Sequence, residues 1–226
     1  MLHPEIILQA VRWYCRYALS YRDIEELMLE RGVEVDHTTI YRWVQQYGTE
    51  IDRRCRPHLL PTNDSWRVDE TYIRVKGAWK YLYRAVDSVG NTLDFLLTAK
   101  RDAKAAERFF WKTLNAFHTQ EPRVITVDKN PAYPPAVEQL QADSFLPQRT
   151  KLRQVKYLNN IVEQDHRFIK RLTRPGMGFG SFNSTRRTLR GFEAMNMIRK
   201  GQVKGVEKGD ILGQISFIHQ IFSVAA

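Results

Sequence analysis

The sequence predicts a mixed α/β chain. It has an N-terminal helix-turn-helix over 1–50, a linker over 51–65, a mixed sheet with helices on both faces over 66–174, and a helical extension over 175–226. Three observations predict this. Apolar residues in the first fifty positions recur at the 3.6-residue period of amphipathic helices. Three β-rich runs then follow, divided by hairpin-type turn signals. After them strand and helix patterns alternate, which gives the order βββαβαβα of a sheet covered on both sides.

Pro4 to Ala18 forms the first helix, with Ile7, Val11, Tyr14 and Ala18 on one face. A second opens at Ser20, where Ser20 and Asp23 make the Asp variant of a capping box. It runs through Ile24, Leu27 and Met28 to Arg31, and Gly32 ends it. The third, HTTIYRWVQQYG, turns Ile40, Val44 and Tyr47 inward and leaves Thr38, Thr39, Arg42 and Gln45 to solvent, with Tyr41 and Trp43 assigned to packing. This is helix-turn-helix spacing with a longer turn than usual. Any three-helix bundle carries the same apolar period, and the basic charge of the chain favours the DNA-reading alternative.

From Glu50 to Ser65 the text RRCRPHLLPTND has two prolines, three arginines and no period, as a linker would. WRVDETYIRV, KYLYRAVDSV and TLDFLLTAK are then three antiparallel strands, with turns at Lys76-Gly77 and Gly90-Asn91. A helix from Asp102 to Phe117 leads to RVITVDKN, a short apolar strand of the buried, parallel kind that ends in Asp128. PAYPPAVEQLQA is a short helix, RQVKYLN a last strand, and a helix over Asn159 to Arg174 closes the unit. Asn183 to Arg199 is a further basic helix, and the apolar tail from Ile211 to Val224 carries no assigned chemistry.

A hydrophobic content of 43% is ample for a core, while a net charge of +10 favours a polyanionic partner, nucleic acid before membrane. No apolar run approaches the ~20 residues of a membrane span, and Arg12 and Arg16 break the N-terminal apolar stretch, so neither a signal peptide nor a membrane role is expected. Cys15 and Cys55 stand apart and the histidines lack ligand spacing, which excludes a disulfide framework and a zinc site and fits a reducing cytoplasm.

Three acids stand out. Asp69 sits mid-strand in WRVDETYI, where a carboxylate is costly to bury unless paired or metal-bound, and Glu70 points to the other face. Asp128 closes an apolar strand at the carboxyl edge, where open sheets place their ligand crevice. Glu163 lies near the start of the last helix of the sheet region, inside a basic stripe with His166, Arg167, Lys170 and Arg174; from Arg149 to Arg174 there are eight Lys or Arg against two acids. Alone, Glu163 and Arg167 read equally as an i,i+4 pair on a solvated face. Together, three carboxylates from two strands and a helix can converge, and hard oxygen donors without His or Cys point to Mg²⁺ or Mn²⁺. Asp87 and Asp94 read as solvated turn or edge residues, Asp102 as a helix cap, and Asp165 as lying near the apolar side of its helix.

A helix-turn-helix followed by VDETY, TVDKNPAY and NNIVEQDHRFIK, with 34 residues between the second Asp and the Glu and a Lys seven positions after it, resembles the DDE transposases of small bacterial insertion sequences. YLYRAVDS, HTTIYRWV and RKGQ make the likeness specific over nearly the whole chain. Within that class it is similar to the single-frame transposases with an integrase-type, RNase H-like core that move by a copying, cointegrate-forming route. The resemblance implies that Asp69, Asp128 and Glu163 hold two Mg²⁺ ions, for which Mn²⁺ can substitute, and that Lys170 contacts transposon-end DNA beside Arg167 and Arg174. It further implies terminal inverted repeats and target DNA as partners, with Thr38, Thr39 and Arg42 as readers of the ends. A homodimer or larger assembly in the synaptic complex and residence in the bacterial cytoplasm, at the nucleoid, also follow. Met1 is only three residues from Pro4, so an N-terminal DNA-contacting extension is expected to be missing. A catalytically inactive DNA-binding repressor or domesticated transposase of the same fold is the alternative function.

Overall fold

A computed structural model describes residues 3–155 and 160–224, which form two compact units: 1–60 with 169–226, and 61–168.

The first unit is helical: α1 (Pro4–Arg16), α2 (Tyr21–Leu29), α3 (His37–Cys55), α7 (Phe182–Arg199) and α8 (Ile211–Ile221). The capping box at α2 is present, with Ser20 Oγ accepting from the Asp23 amide and Asp23 Oδ2 from the Ser20 amide. Gly32 follows α2 with φ +73°, a left-handed conformation that glycine adopts without steric cost. At α3, the Asp36 carboxylate accepts from the amides of Thr38 and Thr39.

The third helix departs from expectation, because it runs through Gly48 to Cys55 and absorbs the start of the expected linker. A mid-helix glycine costs about 1 kcal/mol. Here it lets α7 approach closely: a Cβ on Gly48 would meet the Cα of Gly191 at 3.4 Å, and one on Gly191 would meet the Sγ of Cys15 at 2.7 Å. Beyond Gly48, Ile51 and Cys55 are buried, and the arginines that looked irregular pair along the helix, Arg53 and Arg54 with Glu50 and Arg56 with Asp52. Gln45, expected in solvent, is buried and donates to Thr188 of α7 at 2.8 Å. The segment expected as an extension is therefore part of the helical unit. Main-chain bonds from Leu60 to Gln202 and from Lys204 to His58 join its two halves.

The second unit holds a five-stranded sheet in the order β3-β2-β1-β4-β5, from β1 (Ser65–Val75), β2 (Ala78–Asp87), β3 (Thr92–Thr98), β4 (Val124–Val127) and β5 (Lys151–Gln154). The first three strands pair antiparallel; β4 and β5 join β1 in parallel. The turn between β1 and β2 is two residues with positive φ, Lys76 at 48° and Gly77 at 76°, the twist that suits a tight hairpin. Strand β5 starts two residues earlier than expected, and the part of it expected from Lys156 to Asn159 lies outside the described residues.

Helices cover both faces of this sheet. Trp66, Val68 and Tyr83 pack into an apolar core with Phe109 and Phe110 of α4 (Ala103–Leu114) and Tyr133 of α5 (Tyr133–Ala142). The next residue of β2, Arg84, points oppositely and is fully buried, its Nη2 2.5 Å from Oδ2 of Asp165 on α6 (Asn160–Thr173). Asp165 thus serves a buried ion pair. Asp102 caps α4 by accepting from the Ala105 amide. Asp87 and Asp94 correct the expectation that they are solvated. Asp87 is buried and accepts from the amides of Asn63, Val89 and Asn91, while Asp94 is buried against the ammonium of Lys112.

Candidate active site

The three acids arrive from different elements. Asp69 is on β1, third of the five strands, its backbone opposite Arg84 of β2 and two residues beyond the last β1 pair with β4, Arg67 with Thr126. Its side chain is 18% exposed on the α6 face, where its Oδ2 lies 3.9 Å from Nδ1 of His166, and its Oδ1 accepts from the Glu70 amide at 2.9 Å. Asp128 follows the last residue of β4, and its Oδ1 accepts from the Asn130 amide at 3.0 Å. Glu163 is exposed in the first turn of α6. All three line one cavity of about 690 Å³, together with Arg101, Lys129, Asn130 and Pro131.

Burial, followed by repulsion from Glu70 and, less strongly, from Asp128 and Glu163, raises the Asp69 carboxyl from 3.8 to about 7, against the pull of the Glu70 amide. Among the described residues, no three His, Cys, Asp or Glu side chains are already gathered as a metal-ligand cluster. The donor set still suits a divalent cation, because Asp69, Asp128 and Glu163 offer hard oxygen ligands to one cavity and bound positive charge would relieve the repulsion on Asp69.

Residues that the sequence reading passed over complete the site. Glu70, on the opposite face of β1, is buried and accepts from the Tyr133 hydroxyl, from Nδ2 of Asn130 at 2.8 Å and from Nε of Arg101. Arg101 also reaches Asp128, its Nη2 3.3 Å from Oδ2. Alternation along β1 puts Glu70 opposite Asp69, and TVDKNPAY contains both Asn130 and Tyr133. Only the tertiary structure shows that these groups converge. His166, expected on the polar stripe, is buried facing Asp69.

The expected DNA contacts sit elsewhere. On α3, Thr38 and Arg42 are exposed and Thr39 is half-buried, and the Thr38 hydroxyl donates to Asp36 at 3.2 Å, which leaves it only acceptor capacity. Arg167 and Lys170 on α6 and Arg174 after it are exposed.

Residues 63–202 match the family described as DDE domain. The chain is 40% identical over 200 residues to the transposase for insertion sequence-like element IS431mec of Staphylococcus aureus, covering 88% of this chain and 86% of the relative. The transposase for insertion sequence element IS257 in transposon Tn4003, also of Staphylococcus aureus, matches to the same extent. Among solved structures, the HTLV-2 integrase catalytic core domain in complex with magnesium aligns over 68% of this chain and 97% of its own, at 17% identity and a TM-score of 0.45. The catalytic core domain of BIV integrase aligns over 70% and 98%, at 13% identity and a TM-score of 0.45.

Proposed function

The chain belongs to the DDE-domain transposases of insertion sequences, and on that premise we propose that Asp69, Asp128 and Glu163 are the carboxylates with which it cuts DNA at the element's ends and joins them to a target. The observation that carries this is the meeting of a β1 acid, a β4-edge acid and an α6 acid around one cavity. The three would hold two Mg²⁺ ions, with Mn²⁺ as substitute, through carboxylate oxygens, the hard donors these ions take. Such ions, when bound, supply an activated oxygen nucleophile and charge stabilisation at the leaving oxygen.

The chain's own groups supply the rest. Arg101 and Asn130 keep Asp128 from turning away from the cavity. Lys129, which lines the same cavity, offers a cation to a strand phosphate. In cleavage a water oxygen bonds to phosphorus as the bond to the 3′-oxygen breaks, which frees a 3′-hydroxyl. In strand transfer that hydroxyl attacks a target phosphate, and the target's own 3′-oxygen leaves. No covalent protein nucleophile is required.

The helical unit would recognise the terminal inverted repeats through α3, with Thr38, Thr39 and Arg42 nearest the bases, while Arg167, Lys170 and Arg174 hold end DNA by its phosphates. Joining two ends at once requires at least two copies. Among the described residues no helix is long and apolar enough to cross a membrane, and the reaction belongs with DNA in the bacterial cytoplasm.

The test is a strand-transfer assay with labelled end DNA and Mg²⁺. Asp128→Asn is expected to abolish cleavage and joining while end binding and the unfolding midpoint stay close to wild type. Near-normal turnover would remove Asp128 from the chemistry, and binding without any turnover by the wild type would make the protein a DNA-binding repressor instead.

A further inference from the structure

The sheet face that buries Glu70 emerges into solvent one step further along β1. Trp66, Val68 and Glu70 are covered by the α4 and α5 core, but the next residues on that face are not: Tyr72 is 48% exposed. On β2 Tyr81 is half-buried and Trp79 is 61% exposed. Strand register places Tyr72 opposite Tyr81 and Arg74 opposite Trp79. The rings touch as a row, Tyr72 5.4 Å from Tyr81 and 6.3 Å from Trp79 by centroids, the latter pair edge to face.

The surroundings of the row are cationic. From Thr71 to Tyr81 there is no acid; Arg74, opposite Trp79, shares the face of the rings, and Lys76 lies in the turn at its end. Lys100 and Arg101 follow Thr98, whose backbone pairs with Tyr81. Glu70, the nearest carboxylate along this face, is buried and already satisfied by Arg101, Asn130 and Tyr133. Tyr72 follows Glu70 on this face, and Arg101, which bonds both Glu70 and Asp128, is one of the residues lining the cavity.

We propose that Tyr72, Tyr81 and Trp79 form a stacking platform for unpaired bases of the DNA strand beside the phosphate being cut. Aromatic faces interleaved with cations are the chemistry that holds single-stranded nucleic acid without sequence preference, each ring stacking a base and each cation meeting a phosphate. A second copy of the protein suits the surface less well, because this row would bring its uncompensated cations against their own counterparts. The proposal rests on the catalytic reading only for what the row lies beside.

The experiment uses the full chain, without Mg²⁺, and a forked duplex bearing two unpaired 2-aminopurine nucleotides at its junction, compared with a fully paired duplex of the same length. Wild type should quench the 2-aminopurine fluorescence. Tyr72→Ala and Trp79→Ala should each lose most of the quenching and weaken forked-DNA binding about tenfold, while paired-DNA affinity changes less than twofold; Tyr72→Phe and Trp79→Phe should keep both. Equal losses on the two DNAs, or no loss, would overturn the platform. So would a shift from dimer to monomer in sedimentation with quenching intact, which would make the row a contact between copies. Turnover plays no part in this readout, so an active Asp128→Asn protein would defeat the catalytic assignment and leave the platform standing, whereas failed quenching would do the reverse.

Discussion

Arg101 ties Asp128, an acid at the sheet's carboxyl edge, to Glu70, an acid buried in the sheet: its Nη2 lies 3.3 Å from Oδ2 of Asp128 while its Nε donates to Glu70. The guanidinium is about one-third exposed and the Glu70 side chain only 1% exposed, so most of the electrostatic consequence falls on Glu70. Arg101→Ala leaves that carboxylate with neutral donors alone. The expected loss is roughly 2–4 kcal/mol of stability, since stranding one member of a buried pair costs more than the pair contributes. Arg101→Lys should recover part of it, because an ammonium keeps the charge and loses the planar fork. Urea unfolding of the three proteins measures this, and an unchanged midpoint for Arg101→Ala would show that Glu70 is held by Asn130 and Tyr133 without help.

The acidity of Asp69 gives two opposed pH dependences. Its folded-state carboxyl lies at about 7, above the ordinary 3.8, so the protonated form favours folding. That contribution is complete below about pH 3.8 and is lost as pH rises through about 7. Metal binding needs the carboxylate and releases the proton, so apparent Mg²⁺ affinity should climb by up to about tenfold per pH unit below 7 and level off above it. Calorimetric titration of Mg²⁺ at pH 5.5, 6.5 and 7.5, with urea unfolding at the same pH values, reads both slopes. Affinity independent of pH across this range would mean that Asp69 is ionised before metal arrives.

Base reading and phosphate holding separate in the salt dependence of binding. Arg42→Ala should cost about 1–3 kcal/mol on end DNA and narrow the preference for ends over random duplex. Lys170→Ala should weaken both DNAs alike and lower the salt slope by about one unit. Lys170 is seven positions beyond Glu163 on α6, roughly 10.5 Å along the axis, which suits a neighbouring phosphate better than the one being cut. Affinities for both DNAs at four salt concentrations decide the matter: parallel lines of equal intercept would return Lys170 to an ordinary solvated surface. Point substitutions are needed here, because deleting residues 1–50 would strip α3 from α7 and expose the buried faces of Leu189 and Phe192.

Much of the sheet was legible because strands announce themselves locally. The β-rich runs and their hairpin turn fixed β1 to β3, and an apolar run ending in an acid placed Asp128 at the edge of β4. Helix caps at Ser20, Asp36 and Asp102 are equally local. What escaped depends on partners distant in the chain. The stretch after Gly48 reads as linker until α3 is seen to run on to Cys55, Gln45 reads as solvent-facing until Thr188 receives its hydrogen bond, and Asp94 reads as solvated until Lys112 covers it. The same holds at the candidate site, where strand and helix patterns placed the three acids that line one cavity while Arg101, which reaches Glu70 and Asp128, sits in a loop that carries no pattern.

The packing of α3 against α7 through Gly48 and Gly191 also sets an order of events during synthesis. Cys55 ends α3 and Phe182 begins α7, 127 positions later, which at about 5–20 residues per second leaves the first three helices roughly 6–25 s without their partner. In that interval the surface of α3 at Gly48 lacks the Gly191 backbone that packs against it in the finished fold. The unit made of 61–168 is contiguous and can close while the nascent chain still lacks α7 and α8. The carboxylate-bearing sheet can therefore close while α3 still waits for α7, so the two units need not form in the order in which their first residues are made.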